Sequence, residues 1–197
     1  MRYLALAAAA YLLGSLPSAY LVVRFAKGPD LRTVESGSVG ALNAFRATGL
    51  GWVGVLVLIL DVAKGVVAVL LAGGGAGPAT EALAATMAVA GHNYPVWLHF
   101  KGGKGLAAAA GALSVITPLA VPVWGVVWGL GYALSGYIVL GTIVATSVLP
   151  ILIGVLAGWA YGAAALPVCV LVLVRQREKV RRLLLGAEPK HYWRRRA

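Results

Sequence analysis

The feature that most constrains this fold is a succession of apolar runs that leaves little sequence for a soluble surface. A helix that crosses a bilayer needs about 20 mostly apolar residues, with a lower limit of about 17. Residues 3–25 form the first such run, 50–72 the second and 80–98 the third. Residues 105–116 and 121–134 give a fourth and fifth. Both fall short of that limit and could instead form one re-entrant pair. Residues 137–156 and 158–174 complete the series. The chain is 60% hydrophobic and 12% charged, against about 25% charged in soluble proteins. The expected fold is therefore an all-α integral membrane protein of about seven transmembrane helices. A membrane domain would cover 1–174, with polar loops at 27–49 and 99–105, and a basic amphipathic tail would cover 175–197.

Pro17, inside the first run, removes a helical hydrogen bond and is expected to kink it. Arg2 followed by LALAAAAYLLG has the look of a signal peptide. The run continues to Phe25, however, and basic residues wait at its far end, so it reads as a retained span.

A net charge of +11 would point to nucleic acid in a soluble chain. Here the Lys and Arg residues gather at the ends of apolar runs, which fits anionic headgroups and excludes a nucleic-acid partner as the leading idea. With seven spans, the 27–49 and 99–105 loops, the 135–137 turn and the tail share one side. The connections at 73–79, 117–121 and 156–158 fall on the other side and contain no Lys or Arg. The positive-inside rule then makes the loop side and the C-terminus cytoplasmic and the N-terminus external. The single Cys169 lies in an apolar run, which rules out a disulfide framework or a cysteine metal site and leaves a small buried hydrophobe.

Chemistry concentrates in GHNYPVWLHFKGGKG, residues 91–105. Lys101 and Lys104 are two cations in lipid-like surroundings, and Gly102, Gly103 and Gly105 leave the backbone N–H groups unshielded. The following LAAAAGALSVI is expected to open a helix, whose N-terminus adds free N–H groups and about half a positive charge. Together these suit phosphate; the competing reading is a flexible basic loop between membrane helices. It is not a nucleoside-triphosphate loop of the G-x-x-x-x-G-K-[ST] kind, because Leu98 and Gly105 stand where that pattern needs Gly and Ser/Thr.

The topology brings a second polar stretch, from Glu35 to Arg46, to the same face. Arg46 supplies a third cation, Ser36, Ser38 and Asn43 supply hydrogen-bonding groups, and Gly37 another bare amide. Carboxylates are scarce, two in the 27–49 loop and Asp61 in the second run. Metal-dependent phosphotransfer needs clustered Asp and Glu, so no metal and no other cofactor is expected.

His92 could act as a base, as a phosphate donor, or as a hydrogen-bonded structural residue at a helix end. His99 and His191 look interfacial. Asp61 and Lys64 lie one helical turn apart. Each costs roughly 2.5–3.5 kcal/mol at a bilayer centre, so the two are expected to face inward as an ion pair. In the tail, Arg175, Arg177, Lys179, Arg181 and Arg182 surround Val180, Leu183 and Leu184, the pattern of an amphipathic helix resting on anionic lipid.

Together these stretches resemble the bacterial acyl-phosphate-dependent glycerol-3-phosphate acyltransferases. The resemblance rests on Gly14-Ser15, Ala19-Tyr20, Arg24, Lys27-Gly28, Asp30 and Arg32 at the first span and its exit. It continues through Ser36-Gly37, Gly40-Ala41, Asn43 and Arg46, then Asp61 with Lys64-Gly65. Gly91-His92, Pro95 and FKGGKG follow, and Arg182-Leu183-Leu184, Gly186 and Glu188-Pro189 close it. It implies a seven-helix inner-membrane enzyme that makes lysophosphatidic acid from an acyl phosphate and glycerol 3-phosphate.

An acyl phosphate is already activated, so the family's chemistry requires no covalent nucleophile and no metal, only neutralisation of two phosphates and alignment of the acceptor hydroxyl. On this resemblance Lys104 and the glycine-loop amides, with Lys101 nearby, would hold the leaving phosphate. Arg46 and Ser36 would hold the glycerol phosphate, and Ser38 and Asn43 would shape their loop. A substrate phosphate oxygen could serve as base. The sequence also departs from the family. Ser38 stands for a usual Asn, Leu42 for Thr, and Ala108 lies near a usual Thr. The third motif, an Arg-Tyr followed by two serines, reads Gly136-Tyr137, Val139 and Thr142. The C-terminal His and Asn, expected to help bind substrate, fall on Gln176 and Lys179. These changes mark a divergent member. The alternative is a non-catalytic or altered-substrate paralogue that binds or transports a phosphorylated lipid or anion.

Overall fold

The computed structural model describes residues 1–34, 37–73 and 75–190. Ser36, expected in the site, and His191, expected at the interface, lie outside the described residues. All the regular elements described are helical. The first run is two helices, α1 (Arg2–Ser15) and α2 (Ser18–Phe25), broken at Leu16-Pro17 as the proline requires. A polar segment with one 3-10 turn at Leu31–Thr33 leads to α3 (Ala41–Thr48) and the long α4 (Gly51–Leu71). α5 (Pro78–Asn93) stops short of the expected 98, because Pro95 disfavours the helical region for Tyr94, which leaves it at φ −134° and ψ 62°. A 3-10 turn at Val96–Leu98 and the glycine loop follow. Then come α6 (Leu106–Ile116), α7 (Ala120–Ser135), α8 (Ile138–Ala157), α9 (Trp159–Val174) and α10 (Arg177–Leu184).

Each of the seven apolar runs is represented by helix, yet among the described residues only three helical stretches are long and apolar enough to cross a bilayer unaided. These are Arg2–Phe25, Gly51–Leu71 and Ile138–Ala157, and the bent pair of α9 and α10, which meet at 59°, could count as a fourth. α6 and α7 are shorter apolar helices of 11 and 16 residues.

α4 is the axial element, packed against α1, α2, α3, α5 and α6, while α5 bridges α1 and α4 to α9, and α8 packs on α7 and α9. Small residues allow this closeness, as expected where lipid supplies no hydrophobic drive between helices. Gly65 of α4 abuts the Ala108 carbonyl of α6, and Gly111 of α6 abuts the Val62 carbonyl of α4. Alanines do the same between α1, α4 and α5, where Ala10, Ala68, Ala84 and Ala88 form a buried cluster. Large apolar side chains such as Ile59, Leu70, Val126, Leu130, Ile151 and Val155 point outward, the inverse of a soluble surface. Cys169 is buried in the cluster to which α4, α5, α6, α7, α8 and α9 contribute.

Gly111→Leu should force α4 and α6 apart and destabilise the protein by at least about 1–3 kcal/mol. Gly125→Leu, at a site with no neighbour within 4 Å of the added carbon, should leave thermal unfolding in detergent nearly unchanged. Equal melting temperatures for the two variants would contradict this packing.

Candidate functional site

The break at Pro17 sets the Leu16 carbonyl outside the α1 helix, and the site is built outward from that carbonyl. Lys64 Nζ donates to Leu16 O at 2.9 Å and to Ser18 Oγ at 2.9 Å. Ser18 Oγ in turn donates to Asp61 Oδ1 at 2.7 Å. Lys64 and Asp61 also pair directly at 2.9 Å, with their side chains 5% and 2% exposed. The expected ion pair is thus present, and it is more than a pair: His92 Nδ1 lies 3.5 Å from the same Asp61 oxygen. Two charges withdrawn from water need several further hydrogen bonds to be tolerated, and Ser18, Leu16 and His92 supply them. The cluster joins α1, α2, α4 and α5.

The other edge of His92 meets the glycine loop. A carbon added at Gly103 would collide with the His92 imidazole, and one at Gly102 with the His92 carbonyl, so only glycine fits. Gly103 N–H donates to His92 O at 3.0 Å, Phe100 N–H to Pro95 O at 3.0 Å and Lys101 N–H to Leu98 O at 3.1 Å. His99 and Phe100 both take positive φ, 52° and 62°, a conformation that bulky residues hold only when their surroundings impose it.

Arg175, at the end of α9, completes the enclosure. Its Nε donates to Gly103 O at 2.9 Å and its Nη2 to Gly102 O at 3.0 Å. Its guanidinium stacks over the Tyr94 ring at 5.2 Å. Tyr94 is itself held by Tyr11 Oη, which donates to the Tyr94 carbonyl at 2.8 Å. A loop fastened at so many points is not a flexible tether.

Gly105, at φ 79°, caps α6, and the first helical bond beyond it runs from Ala109 N–H to Gly105 O at 2.8 Å. The amides of Leu106, Ala107 and Ala108 precede that bond, at the positive end of the helix. Lys104 stands at the same point, half-buried. Burial above all, then the neighbouring Lys179 of α10, lower its ammonium to about 8. Two cations brought together beside a helix N-terminus make a site for a phosphate-like anion.

The remaining expected residues are spread around this centre. Lys101 is exposed. Arg46 is exposed in the last turn of α3. Gly37 takes a φ of 63°. Asn43 is buried, and its Nδ2 donates to the Leu31, Val34 and Ser38 carbonyls at 3.1, 3.2 and 2.9 Å. Ser38 thus meets Asn43 through its backbone. Asp30 and Arg32 form a close exposed pair at 2.6 Å, and hydrogen bonds from Arg32 hold the Asp30 carboxyl at about 2. Thr142 is buried and donates to Ile138 O of its own helix at 2.9 Å. Gln176 is 3% exposed, and its Oε1 has no hydrogen-bond partner among the described residues. The same holds for Oδ1 of the fully buried Asn93, which faces Gly105. Among the described residues no group of three or more His, Cys, Asp or Glu gathers as a metal site.

Ser18 and Asn93 are neighbours of the candidate site that the sequence did not single out, and Arg175, read there as a tail cation resting on lipid, instead reaches the Gly102 and Gly103 carbonyls. The available signal for Arg175 was its place as the first cation after a long apolar run, on the side of a loop rich in bare carbonyls. For Ser18 it was a hydroxyl directly after the helix-breaking proline.

Comparison with known proteins places this chain in clear company. The family model described as glycerol-3-phosphate acyltransferase matches residues 4–186. Glycerol-3-phosphate acyltransferase 2 of Moorella thermoacetica is 42% identical over 182 residues, covering 92% of this chain and 93% of that protein. Glycerol-3-phosphate acyltransferase of Desulforudis audaxviator is 38% identical over 187 residues, covering 93% of each. The crystal structure of PlsY, an integral membrane glycerol 3-phosphate acyltransferase, in its glycerol 3-phosphate form superposes with a TM-score of 0.86 at 36% identity, covering 98% of this chain and 96% of that one. The lysophosphatidic acid form gives 0.84 at 34% identity, covering 96% and 95%.

The Lys104–Lys179 contact carries a pH signature. A lysine titrating near 8 loses its positive charge as pH rises through that value, so affinity for inorganic phosphate, read by calorimetry, should fall above pH 8. Lys179→Asn removes one of the two charges and should carry the break upward, though not to an ordinary lysine's value, because burial remains. An unchanged break in Lys179→Asn would contradict the contact.

Proposed function

The chain belongs to the glycerol-3-phosphate acyltransferase family, and from that premise we propose that it acylates glycerol 3-phosphate from an acyl phosphate on the cytoplasmic side of the membrane. It is an integral membrane acyltransferase of the family's helical architecture. The acceptor hydroxyl oxygen attacks the acyl carbonyl carbon, the carbonyl-to-phosphate C–O bond breaks, and inorganic phosphate departs with the electron pair. The hydroxyl proton passes to a phosphate oxygen, so the step balances with no metal and no covalent enzyme intermediate. The products are lysophosphatidic acid and phosphate.

Lys104 and the first-turn amides of α6 hold the leaving phosphate, with Lys101 at the rim. Gly102, Gly103 and Gly105 allow the backbone to pass close to it, and His92 and Arg175 fix the loop from behind. Arg46 and Ser36 hold the glycerol phosphate, while Gly37, Ser38 and Asn43 shape their segment. Gln176 offers its buried amide oxygen, which accepts from no described residue, to the acceptor's hydroxyls, and Lys179 adds charge beside Lys104. Thr142 supports the α7–α8 end of the wall. The one observation that carries this reading is Lys104 itself. A half-buried ammonium beside a second cation is held at an electrostatic cost that a bound phosphate offsets.

The same reading carries seven spans, with α5, α6, α7 and α9 as short ones completed by their neighbours. The N-terminus lies outside and the loops and tail inside, in the inner membrane of the cell, with α10 resting on anionic headgroups.

Purified protein given palmitoyl phosphate and radiolabelled glycerol 3-phosphate should release lysophosphatidic acid, and Lys104→Ala should lower the rate by about 100-fold or more. Equal rates for the two proteins would remove Lys104 from the site. Product from acyl-CoA but not from acyl phosphate would overturn the donor.

A further inference from the structure

A cavity of about 160 Å³ lies between α6, α7, α8 and α9, with Leu106, Leu113, Trp124, Thr146, Leu149 and Cys169 among its walls. Leu106 directly follows the α6 cap, so the cavity begins immediately beneath the glycine loop. Along α6 the wall from Leu106 to Leu113 runs about 10 Å into the membrane, at roughly 1.5 Å per residue. Trp124 comes from the opposite end. It lies eleven residues before Ser135, the end of α7, which places it about 16 Å below the α7–α8 turn. That turn belongs to the loop side, because the Lys190 ammonium of the tail sits over the Tyr137 ring at 5.4 Å.

The chemistry of the walls selects the occupant. Buried water needs two to four polar partners, and this lining offers only Thr146, Trp124 and the Cys169 thiol. Thr146 and Trp124 already satisfy each other, with Trp124 Nε1 donating to Thr146 Oγ1 at 3.0 Å. An apolar cavity of about 150 Å³ stays dry and accepts a hydrocarbon of benzene size, so this one encloses a segment of about six carbons. Trp124 is also fixed from the side: it stacks on Trp128 at 6.1 Å, which stacks on Tyr132 at 5.5 Å. A helical side chain leans over the preceding turn, so the indole stands at the level of Ala120 and Val121, which also line the cavity. It is a rigid floor.

We propose that this cavity receives the far part of the donor's acyl chain, and that Trp124, locked by Thr146, is the stop that sets the longest chain accepted. The inference rests on the acyl-phosphate reading above. Its occupant follows from continuity with the loop to which that reading assigns the donor's phosphate.

Two measurements on the full-length protein in nanodiscs test it. Rates with acyl phosphates of increasing length should fall beyond a limit in the wild type. Trp124→Ala should raise kcat/KM about tenfold for the first length beyond that limit, and Ala110→Leu, which narrows the cavity, should move the limit to shorter chains. Identical length profiles in wild type and both active variants would overturn the proposal. Independently of turnover, an acyl phosphate with a photoreactive diazirine at its chain end should label Trp124 or Cys169, and excess unlabelled palmitoyl phosphate should suppress the label. Labelling confined to other residues would overturn the proposal, as would suppression by phospholipid but not by acyl phosphate. A wild type that takes the label in the cavity but transfers no acyl group would refute the donor reading while upholding the cavity as the hydrocarbon site.

Discussion

The ion pair of Asp61 and Lys64 is the interaction on which the rest of the molecule depends. Neither charge can remain alone in a water-free interior, and together they still need partners. They take the Leu16 carbonyl freed by the Pro17 break, the Ser18 hydroxyl and the His92 ring. Those partners belong to two separate stretches of chain, the α1–α2 break and the end of α5, so satisfying two charges fixes α1, α2 and α5 on α4. Small residues then allow the helices close enough for the bonds to form.

From His92 the same order passes to the glycine loop. The loop's backbone is held by His92 on one side and by the Arg175 fork on the other. Its Lys104 and the start of α6 therefore occupy a set position. An electrostatic site works best when its groups are fixed before substrate arrives, because no reorganisation is then needed in the reaction. Arg175 thus links the end of α9 to the loop, and only its place as the first cation after the apolar run sets it apart from the basic residues that follow.

Much of this was legible in the sequence. Apolar run length identified the longer helices, Pro17 the break in the first run, and i,i+3 spacing the Asp61–Lys64 pair. What could not be read was which distant groups meet. His92 meeting Asp61, Arg175 reaching the loop carbonyls and Lys179 approaching Lys104 depend on helix crossings set by glycine and alanine contacts, which local periodicity does not encode. Run length also overstated the helices: residues 80–98 read as one span, whereas Tyr94 and Pro95 end the helix at Asn93. Lys179, placed near the substrate by the resemblance alone, gains its electrostatic role only in three dimensions. In a tail it is one more cation, and beside Lys104 it alters the acidity of the group proposed to bind phosphate.

The central claim is that a braced loop and the start of α6 hold the donor's phosphate. The most direct test is a structure of the protein with a non-hydrolysable acyl phosphonate. The account predicts the phosphonate within hydrogen-bonding distance of Lys104 Nζ and the first amides of α6, with the Arg175 fork unchanged. A phosphonate held by the α3 segment around Arg46, with Lys104 turned away, would contradict it.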